Sequence, residues 1–159
     1  MKPKTDYIIT TAKAENAFEI AQIEAECFSQ PWTQKQIENE ISNEKALFLT
    51  AVSDDRVFGY VSGQLILDEF YISNIAVASA YRTLGIGSAL IKSLIKRLIN
   101  TDCSLLTLEV RESNSSARHL YEKFGFQNLG NRKDFYSFPR EDACIYTLYL
   151  NTIEKESLN

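Results

Sequence analysis

Cysteine is scarce and badly placed for pairing: Cys27, Cys103 and Cys144 are odd in number, far apart, and never form a C-x-x-C. That excludes a disulfide framework and a zinc ribbon, and reduced thiols are the expectation. No apolar run reaches the roughly 18 residues of a membrane span. The opening Met-Lys-Pro-Lys-Thr-Asp has no apolar signal core, so no membrane partner and a cytoplasmic location are expected. Internal repeats, low-complexity tracts and Pro/Gly/Ser linkers are all absent. Basic charge is also short, with 17 Lys and Arg against 21 Asp and Glu and a net charge of −4. A general nucleic-acid binder carries a basic stripe, so direct nucleic-acid binding is not expected. A cationic partner, an amine or a basic peptide, remains compatible. No cluster of ligand residues suggests a metal.

What is present is ordinary for a single soluble domain: 159 residues, 45% hydrophobic and 24% charged. Only the ends, 1–5 and 152–159, are expected to be loose. Helical and strand-like periods alternate, the pattern of an α/β or α+β fold. Apolar residues Ala17, Ile20, Ala21, Cys27 and Phe28 predict a helix over 14–28, stopped by Pro31. Thr33 and Gln36 form a T-x-x-Q capping box before a short helix marked by Ile37 and Ile41. Strands follow over 47–53, 56–67 and 70–77, the first two joined by a Ser53-Asp54-Asp55-Arg56 hairpin turn. A helix over 88–100 carries the stripe Leu90, Ile91, Leu94, Ile95, Leu98 and Ile99. A buried strand over 105–110, a helix over 114–124 closed by Gly125, and a strand over 145–150 complete the chain. The expected order is two helices, three strands, helix, strand, helix, strand.

The densest information lies in Tyr81-Arg82-Thr83-Leu84-Gly85-Ile86-Gly87-Ser88, between a strand and an amphipathic helix. Unpaired first-turn N–H groups and the helix dipole make such a junction an anion site. Gly85 and Gly87 would let a phosphate approach the backbone, and Arg82 adds a charged donor. A dinucleotide fingerprint requires a third glycine where Leu90 stands, and a P-loop requires Gly-Lys-Ser/Thr where Gly87 is followed by Ser88 and Ala89. What remains is R-x-x-G-x-G, which is also compatible with an ordinary turn using glycine for its geometry.

The context decides between them. Asn74-Ile75-Ala76-Val77, the R-x-x-G-x-G loop, Leu108-Glu109-Val110-Arg111-Glu112-Ser113-Asn114 and Leu120-Tyr121-Glu122-Lys123-Phe124-Gly125-Phe126 resemble the RimI family of bacterial ribosomal-protein N-terminal alanine acetyltransferases, a branch of the GNAT superfamily. The likeness runs from Phe28-Ser29-Gln30-Pro31-Trp32 through Leu67-Asp68-Glu69 to Glu141-Asp142-Ala143. The resemblance implies a GNAT fold, a central mixed and mostly antiparallel sheet flanked by helices, with acetyl-CoA bound at a splayed strand pair. It implies transfer of acetyl to the N-terminal α-amine of a protein, the alanine that begins the eighteenth small-subunit ribosomal protein. The loop from Arg82 to Ser88 would hold the pyrophosphate. Ile75, Ala76 and Val77 would offer strand backbone groups to the pantetheine arm, and Asn114 a hydrogen bond.

Attack of an amine on a thioester needs a group to take the amine's proton and one to protonate the leaving thiolate. The strand's period of two turns Glu109 away from Leu106, Leu108 and Val110, where a carboxylate must be solvated, ion-paired or functional. The resemblance makes Glu109 the base. Tyr121 shares the apolar helix face with Ala117, Leu120 and Phe124, so it reads as core, but the family pattern assigns its phenol as proton donor to the thiolate. Asn114 is also a good N-cap. His119 points away from that face and reads as exposed. The cysteines lack a basic partner, which favours direct attack in a ternary complex over an acetyl-cysteine. By resemblance, Trp32, Tyr136 and Glu141 border the peptide groove, with Glu141 or Asp142 drawing positive charge. Asp134 and Phe135 depart from the family's R-x-N-Y-Y pattern, which bears on peptide preference. Two alternatives stay open: an acetyltransferase of a small amine such as a polyamine or an aminoglycoside, and a non-catalytic coenzyme A-binding module.

Overall fold

The computed structural model describes residues 6–158; the expectation of a loose end at 1–5 lies outside them. Seven strands form one sheet in the order β1-β2-β3-β4-β5-β7-β6: β1 (Ile8–Thr11), β2 (Ala46–Ser53), β3 (Arg56–Ile66), β4 (Glu69–Val77), β5 (Leu105–Arg111), β6 (Gln127–Tyr136) and β7 (Glu141–Tyr149). All pairings are antiparallel except β4 with β5. Helices α1 (Ala17–Cys27) and α2 (Gln34–Ile41) cover one face, while α3 (Ile86–Leu98) and α4 (Ser115–Lys123) cover the other.

Local chemistry explains most boundaries. Thr33 accepts from the Gln36 N–H while the Gln36 side chain accepts from the Thr33 N–H, the reciprocal cap that starts α2. Asp54 and Asp55 both take positive φ in the tight turn pairing Ser53 with Arg56, as a two-residue hairpin demands. The α3 stripe buries Leu90, Ile91, Leu94, Ile95 and Leu98 against the sheet. Each such side chain contributes roughly 1.5–3 kcal/mol on full burial. Gly125, at φ 93°, ends α4 with its N–H donating to the Glu122 carbonyl.

Two strands were missed in the sequence. β1 is a four-residue edge with little buried surface, and β6 is an edge exposed along nearly its whole length, so neither carries an alternating period. β7 begins at Glu141, earlier than the apolar run from Ile145, because Glu141 pairs with Tyr136 of β6 and Ala143 with Arg111 of β5. Residues 152–158, read as a loose end, include a short 3-10 turn whose Leu158 is buried in the α3–α4 layer.

The decisive feature is where the sheet fails to close. β4 and β5 pair only between Glu69–Tyr71 and Leu105–Thr107. Beyond that, Ile72–Val77 and Leu108–Arg111 diverge, leaving a splayed gap in the middle of the sheet. A bulge explains the divergence: the β3–β4 register shifts at Ser62/Gly63, leaving Ser73 unpaired and bending β4. Gly63 permits it, because a Cβ there would sit 2.3 Å from the Tyr71 carbonyl oxygen.

Candidate active site

One wall of the gap is the outer edge of β4. Past Tyr71 the backbone groups of Ile75–Val77 on the β5 side have no strand partner. The loop after β4 turns into α3 through Thr83 and Gly85, both at positive φ. Gly85 is the α3 N-cap, at φ 78°, and a Cβ there would meet nothing within 4 Å. It is therefore needed for conformation, and its surroundings are open to a ligand. Gly87 serves differently: a Cβ there would lie 3.2 Å from Leu120 Cδ2, so it lets α3 pack closely on α4. The first-turn N–H groups of Ile86, Gly87 and Ser88 have no acceptor within the helix, which suits this end to an anion. Arg82 folds back beside the loop, its Nε donating to the Val77 carbonyl at 3.3 Å and its Nη2 approaching Cys27 Sγ at 3.3 Å. An α3–α4 cavity of about 470 Å³ opens beside Ser88 and is flanked by Lys92 and Lys123.

The other wall belongs to β5. Glu109 points away from the Leu106, Leu108 and Val110 face, as the strand period predicts. Its side chain is 7% exposed and lies 3.4 Å from Arg132 Nε on β6. The Tyr71 hydroxyl donates to its other carboxylate oxygen. Of the situations open to a carboxylate there, an ion pair is present, and a phenol has joined it. Burial, reinforced by the bond to Glu109, pushes the Tyr71 hydroxyl above its ordinary range. Tyr136 also rises, to about 12, through burial and then the Glu109 charge.

Tyr121 approaches from α4, on the opposite sheet face. It is 4% exposed, with its ring against Phe126 and Tyr146. Among the described residues its hydroxyl makes no hydrogen bond, although buried tyrosines ordinarily find one. Burial, with Tyr136 adding to it, pushes this phenol well up. It is a protonated, uncommitted donor at neutral pH. Asn114 caps α4 by accepting from the Ala117 N–H at 3.1 Å, so the capping role is realised.

The rim carboxylates have partners of their own. Of Glu141 and Asp142, the two candidates for drawing a positive substrate, Glu141 has a carboxylate that accepts from the Ser113 N–H at 2.6 Å and pairs with Arg111 at 3.3 Å. The Ser113 bonds, helped by Arg111, hold its carboxyl below the ordinary value. Arg111 also donates to the Pro139 and Ser137 carbonyls and lies 4.4 Å above the Tyr136 ring. Glu141 and Arg111 therefore anchor the β6–β7 hairpin rather than offering free charge. Asp142 likewise accepts from the Asp134 N–H. Trp32 is half-buried in the α1–α2 loop, its N–H bonded to Glu24. His119 is exposed. Burial raises the Cys27 thiol, against the nearby Arg82, which does not suit a nucleophile.

Tyr136 thus lies within electrostatic reach of both Glu109 and Tyr121, while Tyr71 and Arg132 hold the Glu109 carboxylate directly. Tyr71 had one usable signal, its position in a strand facing opposite to Phe70 and Ile72. Arg132 had none, since β6 carries no period. Among the described residues no group of three or more His, Cys, Asp or Glu could hold a metal ion. A split sheet with an anion-suited helix start at one end, a carboxylate on one wall and a phenol on the opposite face is the arrangement of this site.

Comparison with known proteins agrees. Residues 17–126 match the acetyltransferase (GNAT) family. The [ribosomal protein bS18]-alanine N-acetyltransferase of Haemophilus influenzae is 36% identical over 146 residues, 90% of this chain and 99% of that protein. The crystal structure of the ribosomal-protein-S18-alanine N-acetyltransferase from Escherichia coli superposes with a TM-score of 0.85 at 30% identity, covering 94% of this chain and 97% of that one. Arabidopsis thaliana NAA60 in complex with acetyl-CoA shares the fold at a TM-score of 0.84 and 19% identity, covering 91% and 99%. The chain belongs to the GNAT acetyltransferase family and is an acetyl-CoA-dependent N-acetyltransferase.

Proposed function

We propose that this enzyme acetylates the N-terminal α-amine of a protein, with the N-terminal alanine of ribosomal protein bS18, the substrate its bacterial relatives are named for, as the acceptor. The observation that carries the mechanism is the pairing of a nearly buried Glu109, held by Tyr71 and Arg132, with an unbonded, protonated Tyr121. The acceptor amine attacks the thioester carbonyl carbon, a C–N bond forms and the C–S bond breaks. Glu109 takes the amine's proton, and the Tyr121 hydroxyl delivers a proton to the departing sulfur. No acyl-enzyme is needed, so the transfer is direct within a ternary complex.

The loop from Arg82 to Ser88 receives the pyrophosphate, Ile75–Val77 the pantetheine arm, and Asn114 contributes its side-chain amide. Supporting this fit are the open surroundings of Gly85 and the unpaired β4 edge. Trp32 and Tyr136 border the acceptor peptide, while Glu141 shapes the rim through Arg111. No metal takes part, and a cytoplasmic location fits the ribosomal substrate. Thiol release from acetyl-CoA tests the reading with three acceptors: a peptide starting Ala-Arg, an N-terminally blocked peptide with an internal lysine, and spermidine. Turnover confined to the free alanine terminus is expected. Turnover confined to spermidine or the lysine would overturn the substrate while leaving the transfer chemistry intact.

A further inference from the structure

Glu24, on α1, is 1% exposed within the apolar layer of Ile20, Ile23, Ile37 and Tyr60. A carboxylate in such surroundings is costly, and an apolar residue of similar size would often serve stability as well or better. Its partners come from three different elements. One oxygen accepts from the Trp32 N–H at 3.0 Å, and the other from Asn74 Nδ2 at 2.7 Å and from the Tyr60 hydroxyl. All three are uncharged donors.

These partners connect the two substrate sides of the cleft. Trp32 lies in the connection between α1 and α2. The Phe28 N–H closes the α1 end on the Glu24 carbonyl, and the Thr33 box fixes the α2 start. Between those caps, the Trp32 N–H bond ties the loop to the protein body. Asn74 stands at the β4 bulge, directly before Ile75–Val77. We propose that Glu24 is a positioning residue for the acceptor: it holds Trp32 and the α1–α2 loop at a set distance from β4 and touches neither substrate. This rests on Trp32 bordering the acceptor peptide, as in the proposed function.

The role requires reach and acceptor oxygens more than charge, and that gives an unusual ordering of variants. Glu24→Gln keeps a carbonyl oxygen for the Trp32 N–H, while its amide can donate to Tyr60 and to a turned Asn74 carbonyl. Glu24→Asp keeps the charge but withdraws the carboxylate by about one C–C bond, roughly 1.5 Å, too far to hold all three donors. Glu24→Asp is expected to raise the peptide KM about tenfold, the scale of one charged hydrogen bond. Its kcat and acetyl-CoA KM should stay within about twofold, and Glu24→Gln should lie near the parent in all three.

Trp32 is the single tryptophan, so acrylamide quenching of its fluorescence reads the loop with no substrate present. Quenching should rise in Glu24→Asp and stay unchanged in Glu24→Gln. Unaltered quenching and peptide KM in Glu24→Asp overturns the proposal, as does greater damage from Gln than from Asp, or an equal rise in both KM values. If Glu24→Asp does not fold, raised quenching in Glu24→Gln overturns it and parent-like quenching upholds it. Failure of the unmodified enzyme on the alanine peptide would sink the substrate assignment, while the quenching still decides whether Glu24 anchors Trp32.

Discussion

Replacing Glu109 with glutamine isolates the proton-transfer step, because the structure limits what else changes. Glutamine is nearly isosteric, and its carbonyl can still accept from the Tyr71 hydroxyl. The pair lost is with Arg132, whose side chain is 57% exposed, so breaking it should cost at most about 1 kcal/mol after solvent screening. For a domain of this size that shifts Tm by roughly 2–4 °C. A positioned general base, by contrast, contributes typically about 10²–10⁴-fold to rate. Loss of the negative charge also removes attraction for a cationic amine and leaves Arg132 unneutralised. A charge-assisted contact of about 1.5 kcal/mol corresponds to roughly tenfold in acceptor KM. The expected outcome is a fall in kcat of at least about 100-fold, a higher acceptor KM, and an acetyl-CoA KM close to the parent's. Steady-state thiol release, with both substrates varied in turn, measures all three, and a thermal melt checks the fold. A variant that keeps kcat within about tenfold of the parent, below the usual range for a general base, would refute the assignment of Glu109.

Tyr121→Phe removes a hydroxyl with no hydrogen bond to lose, so the melt should move little while kcat falls by about 100-fold; an undiminished kcat would move the proton donor elsewhere. Tyr71→Phe deletes one donor to the Glu109 carboxylate and should lower kcat about tenfold, with no change in acetyl-CoA KM, read from the same steady-state series. Gly85→Ala forces an L side chain into φ 78° and should cost about 1 kcal/mol in urea unfolding. It should also raise the acetyl-CoA KM while sparing the acceptor KM. For pH, the folded state holds the proton of Tyr136 up to about 12, above the ordinary value of 10.0, so stability is full below pH 10 and declines as pH rises from there toward 12. Urea midpoints against pH should show that decline, and Tyr136→Phe should lessen it.

What the sequence made legible follows from how local each signal was. The α3 stripe, the Thr33 box, the Gly85 turn and the orientation of Glu109 depend on periods and caps spanning a few residues, and the structure has all of them. Tyr71 and Glu109 are 38 residues apart and meet only because a three-residue parallel pairing sets β4 beside β5. Arg132 reaches the same carboxylate through the β5-β7-β6 order, and β6 itself has no buried face to announce it. Glu141 is the converse case. A carboxylate is visible in the sequence, but its neutralisation by Arg111 and the Ser113 N–H is a product of the β5–β7 register.

The departure at Asp134 yields to the same reasoning. Its φ of 54° lies in the left-handed region, which Asp and Asn both enter more readily than most residues. The backbone of the β6–β7 hairpin therefore tolerates the change from the family's asparagine. What the change adds is charge, and Arg140 meets it at 2.7 Å in an ion pair that both side chains form at the surface. An exposed pair of this kind contributes little to stability, about 0–1 kcal/mol, so its effect falls on the charge that the β6–β7 hairpin presents. Under the proposed function, a cationic residue of the acceptor near this hairpin would meet Asp134 already paired with Arg140. The net attraction there is weaker than the sequence charge alone suggests, as it is at Glu141 and Glu109, each of which also has an arginine partner.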